Sequence, residues 1–439
     1  MIPETSAMLC PNLSAREDGH LLFAGQDTAA LAAAYGTPLY LMDEDRIRER
    51  CRTYMTAAAE AFDGKARILY ASKAASFKRI YEIMREETMF VDVVSPGEIA
   101  TARRAGFPME RAYFHSNHKS DDDIRYAMEQ GVGYFVIDST EELLALERIA
   151  AEKAMHQAIL IRVTPGIDPH TYEAIATGKV DSKFGFAIET GQAEEITRLA
   201  LEQPHLKLVG FHSHVGSQVF DSDVFLQMVD ILMAYIADIR DKYGYLPQQL
   251  DLGGGYGVRY QSSDPVLDVA ANVARVGAYT KEKAAEWGVP MPTVLFEPGR
   301  SIVADAGLTL YTVGSLKQIP GYKNYVSVDG GMTDNPRFAL YGAPYTVLAA
   351  SKLNEPKTLT CSVVGRCCES GDIIQENVPM PASIGRGDLV ACLTTGAYNY
   401  SMASNYNRVP RPPIVMLRNG ESYVAVRRET VEDITALDV

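Results

Sequence analysis

Five short stretches carry residue types that could do chemistry together. They are YASKA, with Lys73; HSHVGS, with His212, His214 and Ser217; LDLGGG, ending in Gly253, Gly254 and Gly255; EPGR, with Glu297, Gly299 and Arg300; and GRCCESGD, with Cys367, Cys368 and Glu369. A lysine amine taken out of water holds its proton less tightly and becomes a nucleophile toward a carbonyl carbon, whereas a solvated lysine is only a surface charge. A glycine run either lets several backbone N–H groups approach an anion or simply turns the chain. His212 and His214 could share a zinc ion, but zinc needs a third ligand, and no second compact His or Cys cluster accompanies them. An imidazole face laid on a flat aromatic group, with the Ser217 hydroxyl donating to a phosphate, accounts for that stretch better. Cys367 and Cys368 are adjacent, and adjacent residues close a disulfide only through a strained small ring. With 6 cysteines in 439 residues, a disulfide framework is not expected, and Cys10, Cys51, Cys361 and Cys392 read as packing residues.

These groups can act together only if the fold gathers them. Short apolar runs that end in polar or glycine residues recur along the first two thirds of the chain: RILYASKA, FVDVVS, RAYFHSN, GYFVIDS, AILIRVTPG, LVGFHSHVGS, QLDLGGG and TVLFEPGR. Between them lie segments with apolar residues at helical spacing, such as SFKRIYEIMREE (Ser76 to Glu87) and STEELLALERIAAEK (Ser139 to Lys153). Eight alternating strand and helix units predict a TIM (β/α)8 barrel, whose active site lies at the C-terminal ends of the strands; a doubly wound open sheet is the alternative. Lys73 then follows the first strand, the two histidines end the sixth, the glycine run ends the seventh, and EPGR ends the eighth.

After about Arg300 the pattern changes to TLYTVGSL, NYVSVDGG, LTCSVVG, DLVACLT, PIVMLRNG and SYVAVRR, which read as a second, mainly antiparallel β domain, a β-barrel or sandwich. The expected organisation is an N-terminal segment, residues 1–36, joining the β domain, a barrel over residues 37–300, and the β domain over residues 301–439. A net charge of -14 disfavours nucleic acid and anionic membranes as partners, since both are gripped by clustered Lys and Arg. The stretch MIPETSAMLCPNLSARED has no cationic segment followed by an apolar one, and no run approaches the length of a membrane span. A cytoplasmic enzyme with a small-molecule substrate is expected.

Lysine, phosphate cradle, flat-ring partner and carboxylate together describe a site for pyridoxal 5'-phosphate (PLP), where the lysine holds the aldehyde and the protein tunes the ring nitrogen. YASKA, HSHVGSQ, LDLGGG, EPGR, CESGD and GAYNYSMASNYN, in this order, resemble the PLP-dependent decarboxylases of the alanine-racemase fold, and VTPGIDPHTYEAIATGKVDSKFGF is similar to the same family. The resemblance implies a PLP barrel with a C-terminal β domain and a homodimer with shared active sites. It also implies decarboxylation of meso-2,6-diaminopimelate to L-lysine, the last step of lysine biosynthesis. Relatives of the same class act on ornithine, arginine, carboxynorspermidine or a carrier-bound glutamate. An inactive PLP- or partner-binding homologue is the reading from another class, and intact Lys73, Glu297 and Cys368 oppose it.

Carried over residue by residue, the resemblance makes Lys73 the lysine that holds the cofactor and His214 the ring stacked on it. Ser217, Gly254, Gly255, Gly299 and Arg300 hold the phosphate. Glu297 pairs with the pyridine nitrogen; a carboxylate there keeps the nitrogen protonated, whereas the racemases of this fold place an arginine at that point, so Glu297 favours decarboxylation. Cys368, supplied by the partner subunit, is the proton donor. Arg300, Arg337, Tyr341, Glu369 and Tyr398 contact the substrate, and Tyr398 touches the cofactor as well. Pro96, Phe338, the pair Pro344 and Tyr345, and Cys367 depart from the family pattern. Cys367→Ala should leave turnover nearly intact, while Cys368→Ala should lower it by about two orders of magnitude or more, measured as kcat on the holoenzyme; the reverse result would move the acid by one residue.

Overall fold

Four strands precede the predicted barrel in the computed structural model, which describes residues 9–167 and 182–439: β1 (Leu13–Ala15), β2 (Leu21–Phe23), β3 (Gln26–Asp27) and β4 (Leu39–Asp43). Most of VTPGIDPHTYEAIATGKVDSKFGF therefore lies outside the described residues. The chain divides into a barrel unit, Arg50–Gly257 with Val266–Gly299, and a sheet unit made of the described residues up to Glu49, Val258–Pro265 and Arg300–Val439.

In the barrel unit, the eight predicted strands are β5 (Ala66–Ala71), β6 (Phe90–Val93), β7 (Ala112–Phe114), β8 (Tyr134–Ile137), β9 (Gln157–Thr164), β11 (Leu206–His212), β12 (Gln249–Asp251) and β13 (Thr293–Phe296), with the short β10 (Phe186–Ala187) beside β9. They run parallel and close on themselves, Val294 facing Ala66 where β13 meets β5 and Phe135 facing Ile159 where β8 meets β9. Closure removes every sheet edge, and near-continuous apolar runs suit strands covered on both faces. Leu69, Tyr113, Val136, Leu160, Val209 and Leu295 fill one layer of the interior. Gly210 sits at a bulge in β11, where a Cβ would come 2.0 Å from the Gln249 carbonyl oxygen; only glycine lets the two strands approach there. The Ser139 side chain accepts from the Glu142 N–H and starts the helix Thr140–Glu152. The Glu142 carboxylate turns to Lys119, 2.8 Å away, so the reciprocal half of a capping box with Ser139 does not form.

The sheet unit centres on the 13-residue β14 (Gly307–Ile319). Around it lie β15 (Lys323–Val328), β16 (Val347–Ala349), β17 (Leu359–Val364), β18 (Ile373–Met380), β19 (Leu389–Leu393), β20 (Ile414–Arg418) and β21 (Glu421–Val426). The pairing is mixed: β15 with β17 and β20 with β4 are parallel, whereas the other pairs in this sheet are antiparallel. Residues 37–49, placed in the barrel by the sequence reading, belong to this unit. The physical reason is β4, LYLMD, which is buried throughout and is zipped between β14 and β20. Leu39, Leu41, Leu308, Leu310, Leu393, Val415 and Leu417 make the resulting core. Among the strands after Arg300, β16 and β18 have no counterpart in the sequence reading. Pro379 disguises β18, which lies at the end of the strand order, where a residue without an N–H is tolerated.

Leu160 is fully buried in the barrel interior. Leu160→Ala should destabilise the barrel by about 2–5 kcal/mol, measured from the denaturant midpoint; a loss under about 1 kcal/mol would mean that the layer collapses around the gap.

Candidate active site

Each barrel strand delivers a polar residue at its C-terminal end. Lys73 follows β5, Asp92 lies in β6, His115 follows β7, Asp138 follows β8, Arg162 lies in β9, His212 ends β11, Asp251 ends β12, and Glu297 follows β13. Glu297 is buried, with Oε1 2.7 Å from His115 Nε2 and Oε2 3.2 Å from His212 Nε2. The His115 approach is out of line for a hydrogen bond, so Oε1 remains a buried acceptor without a hydrogen-bond donor. The imidazoles cross edge to face at 4.8 Å.

Three buried carboxyls share this region, and their environments separate them. Burial acts to raise Glu297, but the two imidazoles overcome it and hold the group well below the usual carboxylate range. Burial, and then the Glu297 charge, push Asp251 well above that range. Burial also raises Asp92, against the pull of His115. One carboxylate is held ionised, while burial favours the protonated form of its two neighbours. Burial pushes His212 down to about 4, which leaves a neutral ring able to donate one N–H to Glu297.

Lys73 lies in the turn Ser72–Ala74. It is exposed, the solvated rather than the desolvated of the two states open to a lysine at this point. Its charge acts on its neighbours instead, drawing down Asp92, Glu98 and His214. His214 is half-buried; burial first, and Lys73 second, depress it well below the usual imidazole range. Its Nδ1 accepts from the Gly254 N–H at 3.3 Å. The loops bearing Ser217 and Gly255 are stitched together, the Val219 N–H donating to the Gly255 carbonyl and the Gly257 N–H to the Val219 carbonyl. A Cβ on Gly255 would fall 2.0 Å from the Gly216 oxygen, and one on Gly254 would fall 2.1 Å from the Glu297 oxygen. Gly299 packs against the end of β5, where a Cβ would meet Ala71 at 2.9 Å.

These residues fit PLP. A buried ionised acceptor suits a protonated ring nitrogen, the side-chain-free loops suit a phosphate, and Lys73 offers an amine. The same region holds a group able to ligate a metal, namely His115, His212 and Glu297, with ligand atoms within 4.8 Å of one another. It is not the His212 and His214 pair that the sequence suggested, and HSHVGS divides its labour: His212 serves Glu297 and His214 faces the glycine loop.

In the sheet unit, Arg300 and Arg337 are buried. Arg300 donates to the Tyr260 hydroxyl at 2.8 Å, and its guanidinium carbon lies 4.5 Å from the centre of the Tyr398 ring. Arg337 donates to the Tyr345 hydroxyl at 2.8 Å, and Tyr345 donates to Asn399 Oδ1 at 3.1 Å. Tyr398 adopts φ 61°, a left-handed conformation uncommon outside glycine and frequent at functional sites. Cys368, Glu369 and Tyr341, by contrast, are exposed. The loop GRCCESGD is tied at its base by buried Asp372, which accepts from the Met332 N–H at 2.6 Å and the Cys367 N–H at 2.7 Å. The Cys368 N–H donates to Asn407 Oδ1 at 2.9 Å. Cys367 is half-buried, and burial, aided by Asp372, pushes its thiol up to about 11. Cys10, Cys51, Cys361 and Cys392 are buried free thiols, as expected of packing residues.

The sequence reading passed over Asp92, His115, Arg162, Asp251, Tyr260 and Asn399, and noted Tyr345 only as a departure from the family pattern. For the first four a signal existed: a lone charged or imidazole residue at the polar end of a barrel strand. Among the described residues, no helix is long and apolar enough to cross a membrane.

Residues 44–304 match the family model described as pyridoxal-dependent decarboxylase, pyridoxal binding domain. The chain is 44% identical to the diaminopimelate decarboxylase of Bacillus subtilis over 423 residues, 96% of each chain, and 39% identical to that of Staphylococcus aureus over 422 residues, 96% and 98% of the two chains. The structure superposes on the diaminopimelate decarboxylase of M. jannaschi with a TM-score of 0.90 at 30% identity, covering 98% of both chains. The match to the Helicobacter pylori enzyme complexed with L-lysine has a TM-score of 0.83 at 31% identity, covering 94% and 99%. With the barrel, the buried carboxylate and the glycine cradle all present, the chain belongs to the pyridoxal-dependent decarboxylases and, within them, to the diaminopimelate decarboxylase family.

Proposed function

We propose that this chain decarboxylates meso-2,6-diaminopimelate to L-lysine and carbon dioxide, with PLP as cofactor, as the last step of lysine biosynthesis. The observation that carries the reading is the buried Glu297 facing the barrel mouth, held well below the usual carboxylate range while burial raises its neighbours Asp92 and Asp251. Bound PLP supplies an electron sink for the pair released when carbon dioxide departs. Glu297 holds a proton on the ring nitrogen and so keeps that sink open. Lys73 binds the cofactor through its amine, His214 packs its ring, and Ser217, Gly254, Gly255, Gly299 and Arg300 take its phosphate. Arg300, Arg337, Tyr341 and Tyr398 orient the distal carboxylate, Glu369 receives the distal ammonium, and the Cys368 thiol gives its proton to the carbon that has lost carbon dioxide.

The exposure of Cys368 and Glu369 supports a homodimer in which each subunit lends this loop to its partner's site. An acid open to bulk water protonates with little control, and a second copy would enclose it. We place the enzyme in the cytoplasm, where a reducing pool keeps Cys368 a thiol.

Purified holoenzyme should release carbon dioxide from meso-diaminopimelate with higher kcat/KM than from L-ornithine or L-arginine; the opposite order would move the substrate to another member of the class. Inactive Lys73→Ala mixed with inactive Cys368→Ala should recover part of the activity, about a quarter of the sites being intact under random subunit exchange. No recovery after exchange has been verified by mass would show that each site is built from a single chain.

A further inference from the structure

Two buried guanidinium groups share one phenol in the sheet unit. Arg300 and Arg337 are 6% and 5% exposed, and Tyr260, between them, is 3% exposed. Arg300 donates from Nη1 to the Tyr260 hydroxyl at 2.8 Å. The Arg337 guanidinium carbon stands 4.8 Å from the centre of the same ring and 5.5 Å from that of Tyr345. Tyr345 meets Tyr260 edge to face at 5.3 Å, takes the Nη1 donation of Arg337 and passes its own hydroxyl proton to Asn399. The Tyr260 backbone is pinned in turn, its carbonyl accepting from the Thr346 hydroxyl at 2.8 Å. Burial acts to raise the Tyr260 phenol, but the two cations prevail and hold it below its ordinary value.

Like charges withdrawn from water repel, and each long arginine side chain loses rotamer freedom when fixed. The Tyr260 ring face and oxygen offset both costs, one by cation–π attraction to Arg337 and the other by a charge-assisted hydrogen bond from Arg300. We infer that Tyr260 is a specificity-determining residue that holds Arg300 and Arg337 together as a preassembled receptor for the carboxylate remaining at the far end of the substrate. This rests on the reading above in which those arginines bind the distal carboxylate. A ligand that keeps this carboxylate gains from the receptor, and a diamine that lacks it gains nothing.

L-lysine and 1,5-diaminopentane make the matched pair of probes: the same five-carbon diamine chain, with and without the carboxylate. Their competitive inhibition constants are measured on wild-type holoenzyme and on Tyr260→Phe, which keeps the ring over Arg337 and removes only the oxygen that serves Arg300. The variant should weaken L-lysine about tenfold while 1,5-diaminopentane changes by less than about twofold, and the loss with diaminopimelate should fall on KM more than on kcat. Equal weakening of both probes, no weakening of L-lysine, or loss of the folded holoenzyme would each overturn the proposal. If wild type neither prefers L-lysine over the diamine nor turns over diaminopimelate, the functional reading itself fails, and Tyr260 is not at fault.

Discussion

A carboxylate that must stay ionised out of water is the constraint around which the barrel mouth is built. Burying an isolated ion costs several kcal/mol, and a carboxylate among other carboxylates would ordinarily take up a proton. Glu297 avoids this because His115 and His212 reach it from two other strands, while burial raises Asp92 and Asp251 and so eases the electrostatic conflict. Only a closed parallel barrel brings residues so far apart in sequence to one ring of strand ends. The apolar layer of Leu69, Val136, Leu160 and Leu295 that fixes those ends is thus as necessary to the charge pattern as the charged groups are.

The eight barrel strands were legible because their apolar runs are continuous and their ends are marked by Gly, Ser or a charged residue. Lys73, Glu297 and the glycine loops were legible for the same reason, since each lies where a strand must stop. The partners of β4 were not. LYLMD has the composition of a barrel strand, and whether it pairs with β5 or with β14 and β20 is decided by tertiary contacts hundreds of residues away. Tyr260 was hidden for a related reason. It follows the glycine run in a segment without regular structure, and its importance comes from two arginines that meet it only in the folded chain.

The two units differ in what their architectures can offer. The barrel unit contributes groups whose ionisation is fixed by burial, which suits chemistry needing a settled charge. The sheet unit holds a guanidinium pair wrapped in aromatic rings, which suits recognition of an anion, and a loop whose Cys368 and Glu369 face outward from a base anchored by Asp372. Gly331 and Gly365 pack against that carboxylate so closely that any side chain on either would strike it. The root of the loop is therefore fixed by close packing on one buried carboxylate.

The strand β4 has a consequence for the order in which the molecule assembles. During synthesis, residues 39–43 leave the ribosome early, yet one of their sheet partners, β20, emerges some 370 residues later. Every barrel strand is available before β20 exists, so the barrel can close first while β4, with apolar residues meant for burial, waits without its second neighbour. Nascent chains halted before residue 414 should therefore present LYLMD to chaperones, and the last stretch of translation, rather than the longest, completes the sheet.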